Sequence, residues 1–220
     1  MTAVIFKDAM DAPLRLASLR QAWPHVHAVC PAEMAIPHAR RVTIPPEWLP
    51  AGEGTPRAKT WHKADGFGHA AAATITADFY WFIESDASAT PQRWRAMIEE
   101  HQDNPADLLS NALRERKWTR ENPWWAHPGT PDWADCFFLM PVFRLSAAAL
   151  RACIAAAEEL RECFCEVAIA STIRRAGLSM AEVCARQTHW NRQTFAAHPA
   201  AVIRNPLLVN HPIKSDSLIP

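Results

Sequence analysis

The sequence predicts an α/β fold, a central and mostly parallel mixed sheet flanked by helices, and three observations predict it. Phe79-Tyr80-Trp81-Phe82-Ile83 is a continuous apolar run, the pattern of an inner strand covered on both faces rather than of an alternating, half-solvated one. Residues 3–6, 13–23 and 25–30 read as strand, helix and strand, a unit that begins a parallel sheet with a right-handed crossover. Immediately after the apolar run, Ser88 or Thr90 is placed to cap a helix with Pro91 near its first turn, so a strand again feeds a helix.

In chain order, Ala3-Val4-Ile5-Phe6 is the first buried strand and ends at Lys7-Asp8. Leucines 14, 16 and 19 mark a helix stopped by Pro24, and residues 25–30 form the second strand, closed by Pro31. Residues 40–44 make a short third strand, and the proline-rich stretch 45–56 is a loop. An alanine-rich helix is expected over 58–73, weakened by Gly66 and Gly68. Its first half would carry Lys59, Lys63 and Asp65 near the ligand edge, where a lysine can neutralise a diphosphate or simply be solvated. After the helix at 91–101, residues 107–111 form a strand. Residues 133–145 form a strand pair or one bent strand, with Ser146 capping a helix over 147–160. A further helix opens near Glu166 and ends with Gly177 at its C-cap, followed by a short strand at 178–184.

Composition excludes several classes. The chain has 23 basic and 23 acidic residues among its 220, so no net field favours nucleic acid or an anionic membrane. Its apolar runs are too short to span a bilayer, and the start, MTAVIFKDAMDAP, lacks the features of a secretory signal. The cytoplasm is the expected location. Six cysteines at 30, 136, 153, 163, 165 and 184 form no CxxC pair, so reduced thiols are expected and zinc is not. The tryptophans between 118 and 133 stand among prolines; such a loop either packs on the sheet or lines a groove that suits sugar faces.

The chemistry concentrates at Glu84-Ser85-Asp86, where the buried run stops. Ligands bind at the carboxyl ends of strands in open α/β sheets. If the segment stays extended, residues i and i+2 project to one side, so Glu84 and Asp86 would converge on one cation. Mg²⁺ and Mn²⁺ favour a few carboxylate oxygens, with water and phosphate filling the shell. An isolated E-x-D is more often a polar strand end. Asp135 opens residues 135–145 beside the aromatic loop, placed to touch substrate. Glu166 opens a helix, where a carboxylate is electrostatically favoured in any case.

Taken in order, HKADGFGHAAAATITADFYWFIESDASATPQRW, CEVAIASTIRRAGLSM and NHPIK resemble the GT-A family of nucleotide-sugar glycosyltransferases, most of all its bacterial family-2 type. The likeness spans roughly residues 3–215. It implies a single GT-A-like, Rossmann-like domain over 1–204 and a tail, 205–220, folding back over the site. It implies a metal site of Glu84, Asp86 and His211 holding Mn²⁺ or Mg²⁺. It puts Asp8 or Asp11 near the nucleotide base and makes Glu166 the catalytic base; Lys63, Asp65 and Asp135 are further substrate contacts expected from their places in the chain. The implied partners are a nucleoside-diphosphate sugar and a glycan or polysaccharide acceptor. The chain departs from the family pattern in having E-x-D for D-x-D and no acidic neighbour before Glu166. The alternatives are a GT-A-like module that binds a ligand or protein without catalysis, and a nucleotidyltransferase. The latter would usually carry a glycine-rich loop after the first strand, and KDAMDAPLR contains no glycine.

Overall fold

The structure, a computed structural model, describes residues 2–6, 13–23, 25–30, 40–43, 72–116, 125, 129–157, 159–160, 163–183, 188–190 and 209–211. The elements are β1 (Thr2–Phe6), α1 (Pro13–Ala22), β2 (Val26–Cys30), β3 (Arg40–Thr43), β4 (Phe79–Ile83), α2 (Pro91–Glu100) and β5 (Leu108–Glu115). They continue with β6 (Cys136–Ser146), α3 (Ala147–Ala156), α4 (Cys165–Arg175), β7 (Met180–Glu182), β8 (Thr188–Trp190) and β9 (Val209–His211). Seven strands form one sheet in the order β3-β2-β1-β4-β6-β5-β7, and β8 and β9 form a separate parallel pair. The pairs β2·β3, β1·β2, β1·β4 and β5·β7 are parallel, while β6 runs antiparallel to both β4 and β5. This is the mixed, mostly parallel sheet that the apolar runs predict.

β4 is the centre of the molecule because its side chains are buried to both sides. Tyr80 and Phe82 enter one cluster with Ile5, Phe138, Phe143 and residues of α3 and α4. Trp81 and Ile83 enter a second with Val4, Leu16 and Leu19 of α1 and Trp94 and Met97 of α2. One strand therefore carries two helical layers, which is why its sequence does not alternate. Phe82 stacks on its cross-strand partner Phe143 with centroids 4.8 Å apart. The chain's single tyrosine, Tyr80, donates to the Ile75 carbonyl (2.7 Å) and accepts from Ala77 N–H (3.1 Å), fixing the entry into β4.

The helices begin and end as their sequences dictate. Thr90 caps α2 by accepting from Arg93 N–H, and Ser146 caps α3 by accepting from Ala149 N–H. Helix α4 ends in a Schellman motif: Leu178 N–H bonds to Ile173 O and Gly177 N–H to Arg174 O, with Gly177 at φ +69°. Ala176 is thus the cap and Gly177 the residue beyond it.

Of the strand pair or single bent strand expected over 133–145, the structure takes the single strand, β6 (Cys136–Ser146), which bulges: Leu109 and Asn111 of β5 face Arg144 and Leu139, so β6 spends three extra residues there. Pro141 lies inside that bulge and has no N–H to give a ladder. Strand β5 is longer than expected and bulges in turn at Ala112, whose φ is +49°. Helix α3 stops at Ala156 rather than 160. The tail contributes β9, with Val209 buried in the same cluster as Ile83, Ala87 and Ala89. Most of the helix expected over 58–73 lies outside the described residues, of which Ala72 and Ala73 are helical.

Candidate functional site

The parallel pairing of β1 and β4 brings Phe6 opposite Ile83, so both strands end at one edge. Glu84-Ser85-Asp86 stands at that edge. Ala87 N–H bonds to Glu84 O (3.0 Å), so the three residues form a tight turn and not the extended segment expected. Glu84 and Asp86 therefore share one turn instead of one face of a strand. The turn is held at both ends. Glu84 N–H bonds to the Pro141 carbonyl (3.0 Å) in the β6 bulge, and Ala87, Ser88 and Ala89 behind it are buried. Ser18 of α1 donates to the Ala89 carbonyl (2.6 Å), securing the exit towards α2. Both carboxylates are half-buried on this platform.

β6 carries the second half of the site. Its residue Val142 pairs with Ile83, so the segment from Cys136 up to Pro141 runs on beyond the end of β4. Helix α4 opens beside that extension: Cys163 and Val167 cluster with Trp125, Ala134 and Phe137. Eight of the helix's eleven residues are buried, Glu166 among them at 7 % exposure. Glu166, Ala170 and Ile173 follow helical spacing on one stripe, and Ala170 and Ile173 enter the sheet-facing core. A carboxylate thus continues an apolar stripe. Charge near a helix N-terminus is favourable, but burial of this degree is uncommon for glutamate.

A second stripe of α4 grips the strand. Ser171 Oγ accepts from Asp135 N–H (3.2 Å) and Cys136 N–H (3.3 Å) and donates to the Cys136 carbonyl (2.9 Å). Arg174 pairs with Asp135 (3.2 Å) and Glu115 (3.2 Å). Burial and the adjacent Asp135 push the Cys136 thiol up to about 12, so it stays protonated and inert at neutral pH. Trp133 is held by Glu159, which accepts from its indole N–H (3.1 Å), and by the Arg175 guanidinium 4.4 Å above its ring. Trp125 is buried edge-on to Phe137 under Arg116. These two rings are packed rather than offered to a sugar. Glu159 also pairs with Arg175 (3.0 Å) and so joins the two contacts on Trp133.

The structure brings together part of the expected set. Glu84 and Asp86 lie in one turn, and Glu166 opens the helix beside the β6 extension. Asp135 sits at that extension with its carboxylate engaged by Arg174. His211 closes β9, two residues after buried Val209; its side chain, like Asp8, Asp11, Lys63 and Asp65 as a whole, lies outside the described residues. Among the described residues no group of three or more His, Cys, Asp or Glu side chains is arranged to hold a metal ion. The chemistry of Glu84 and Asp86 still suits a hard divalent ion, which keeps water and phosphate in its shell. Ser171 and the Pro141 bulge escape sequence reasoning, since a helical serine and a strand proline give no signal of the backbone groups they meet.

No protein-family model matches the chain, and no curated protein does. Among solved structures, the galactosyltransferase LgtC in complex with donor and acceptor sugar analogues matches at 12 % identity and a TM-score of 0.52, over 92 % of this chain and 78 % of its own. The 2-C-methyl-D-erythritol 4-phosphate cytidylyltransferase from Thermus thermophilus matches at 13 % identity and 0.50, over 93 % and 96 %. A glucosyl-3-phosphoglycerate synthase from Mycobacterium tuberculosis, solved with Mg²⁺ and uridine diphosphate, matches at 12 % and 0.45, over 83 % and 68 %. With its strand order and the two likenesses at TM-scores of 0.52 and 0.50, the chain has a GT-A-like, Rossmann-like fold.

Proposed function

We propose that the protein transfers a sugar from a nucleoside-diphosphate donor to a hydroxyl of a glycan or polysaccharide acceptor. The observation that supports this most is the acidic turn, two half-buried carboxylates in one tight turn at the carboxyl end of an interior strand. Glu84 and Asp86 would hold Mg²⁺ or Mn²⁺, with His211 of the returning tail as third ligand. The ion, when bound, would offset the charge growing on the departing nucleoside diphosphate. Asp8, in the segment that leaves β1 at the same edge, would lie near the nucleotide, and Lys63 and Asp65 near the diphosphate and sugar.

Glu166 would accept the proton of the attacking hydroxyl. A carboxylate does this when it lies within hydrogen-bond reach of that hydroxyl. Asp135 is better suited to shape the acceptor side than to contact substrate through its carboxylate, which Arg174 already engages.

The likeness to a cytidylyltransferase supports a second reading, transfer of a nucleotidyl group to a sugar phosphate. Against it, residues 7–12 contain no glycine with which to wrap a triphosphate. A thermal-shift panel of UDP-, GDP-, CMP- and dTDP-sugars with and without Mn²⁺ tests the proposal. One donor should raise the Tm in the presence of metal, and Asp86→Ala should remove the metal-dependent part. A flat panel would favour a non-catalytic binding module. Stabilisation by CTP alone would favour the nucleotidyltransferase.

A further inference from the structure

We infer that Ser171 is a positioning residue: by holding the backbone of Asp135 and Cys136 it sets where the opening turn of α4, and with it Glu166, stands over the end of the sheet. What Glu166 does there rests on the sugar-transfer reading; how Ser171 holds the helix does not. A serine inside a helix ordinarily faces water or bonds back to a carbonyl of its own preceding turn. Ser171 is 1 % exposed, and its hydroxyl is spent on another element, with two backbone N–H groups donating to it and one carbonyl accepting from it. A hydroxyl has one proton and two lone pairs, so this uses its full capacity.

The groups it meets are those where the sheet runs out. Cys136 is the first residue of β6, opposite Glu115 at the end of β5, and Arg116 N–H donates to the Asp135 carbonyl (2.7 Å). The Asp135 peptide is therefore held by Arg116, just past β5, on one side and by α4 on the other. Val167, one turn before Ser171, shares a buried cluster with Phe137, and Arg174, one turn after it, pairs with Asp135. The stripe 167–171–174 thus lies along residues 137 to 135, while the neighbouring stripe 166–170–173 faces the core. A slip of α4 by one residue would turn it by about 100° and shift it by about 1.5 Å. Ser171 would then lose all three bonds and Glu166 would leave its stripe. Burial of the apolar stripe sets which face of α4 meets the sheet, and the Ser171 hydroxyl, with the Arg174–Asp135 pair, adds directional contacts that fix the helix against the strand.

The test uses the full chain as wild type, Ser171→Ala and Ser171→Thr. Hydrogen exchange is followed in the peptide spanning 164–170. Donor affinity is measured by calorimetry with the UDP-, GDP-, CMP- and dTDP-sugars, and nucleotide release gives turnover. Ser171→Ala should speed exchange in the opening turn and lower turnover roughly tenfold to a hundredfold, as a small misplacement of a catalytic group does. Donor affinity should stay within about twofold, the mark of an interaction made in the transition state. Ser171→Thr, which keeps the hydroxyl, should restore both. Unchanged exchange or full turnover in Ser171→Ala overturns the inference. So does a parallel loss of affinity and turnover that threonine does not rescue. A wild-type protein that responds to no nucleotide sugar overturns the sugar-transfer reading and Glu166's role with it, whereas normal transfer by Ser171→Ala overturns the inference alone.

Discussion

Glu166 and Asp107 are both carboxylates held by folding, at opposite ends of the sheet. Glu166 is buried on a stripe that elsewhere carries Ala170 and Ile173. Glu166→Gln keeps shape and removes the basic oxygen, so turnover should fall at least about a hundredfold with donor affinity retained. Normal turnover, measured as nucleotide release, would remove Glu166 from the mechanism. Asp107 accepts from Ser146 Oγ (2.6 Å) and from Ser179 N–H (2.9 Å) and Oγ (2.8 Å). Burial pushes its carboxyl up, but these hydrogen bonds and nearby Arg144 outweigh it and leave it below the usual value. A folded pKa below the unfolded one means that its stabilisation is complete above about pH 4 and is lost as pH falls through the lower folded value. Asp107→Asn should therefore cost about 1–2 kcal/mol at pH 7. In urea titrations the gap from wild type should close as the pH is lowered below about 4. A gap that persists at the acid end would show that ionisation is not the cause.

Among the elements, α4 packs on the β6 half of the candidate site. Its start is set by burial of Cys165, Glu166 and Val167 and its end by Gly177, whose positive φ lets two N–H groups turn back on the last carbonyls. Nothing lies within 4 Å of a Cβ built at Gly177, so substitution there meets backbone strain and no clash. Gly177→Ala should lower stability by about 1 kcal/mol, read as a shifted urea midpoint with unchanged slope. An unaltered midpoint would mean that the left-handed conformation is not needed. Strand β6 is the complementary element. Its bulge around Pro141 supplies the carbonyl that receives Glu84 N–H, so an irregularity in one strand places the acidic turn that follows another.

Over the whole molecule, the sheet is sealed on one face by α3 and α4 and on the other by α1 and α2. Arg144 binds the second layer to the sheet's centre. It is 1 % exposed, donates to the carbonyls of His101 (2.7 Å), Asn104 and Ala106 (3.0 Å), and lies 4.1 Å over the Phe79 ring. Burial draws its pKa down, and Asp107 partly offsets that. Arg144→Met fills similar volume but strands the three carbonyls at the end of α2, which should cost roughly 3 kcal/mol. Equal urea stability of the two proteins would show that water satisfies those carbonyls instead. Among the described residues no helix is long and apolar enough to cross a membrane.

By itself the sequence determined the α/β class, the two-faced burial of β4, the caps at Thr90 and Ser146, the opening of α4 near Glu166 and the acidic tip at the strand's end. These rest on composition and spacing within a few residues, where burial and backbone preference are decided locally. Only the tertiary structure decided that Glu84 and Asp86 share a turn, that Asp135 answers to Arg174, that Trp125 and Trp133 are packed, and that Ser171 holds the start of β6. The turn is closed locally by Ala87 N–H on Glu84 O but anchored by the Pro141 carbonyl of the bulged strand, and the other contacts depend on partners distant in sequence. Local pattern records that a side chain will be buried, and long-range register selects what it meets.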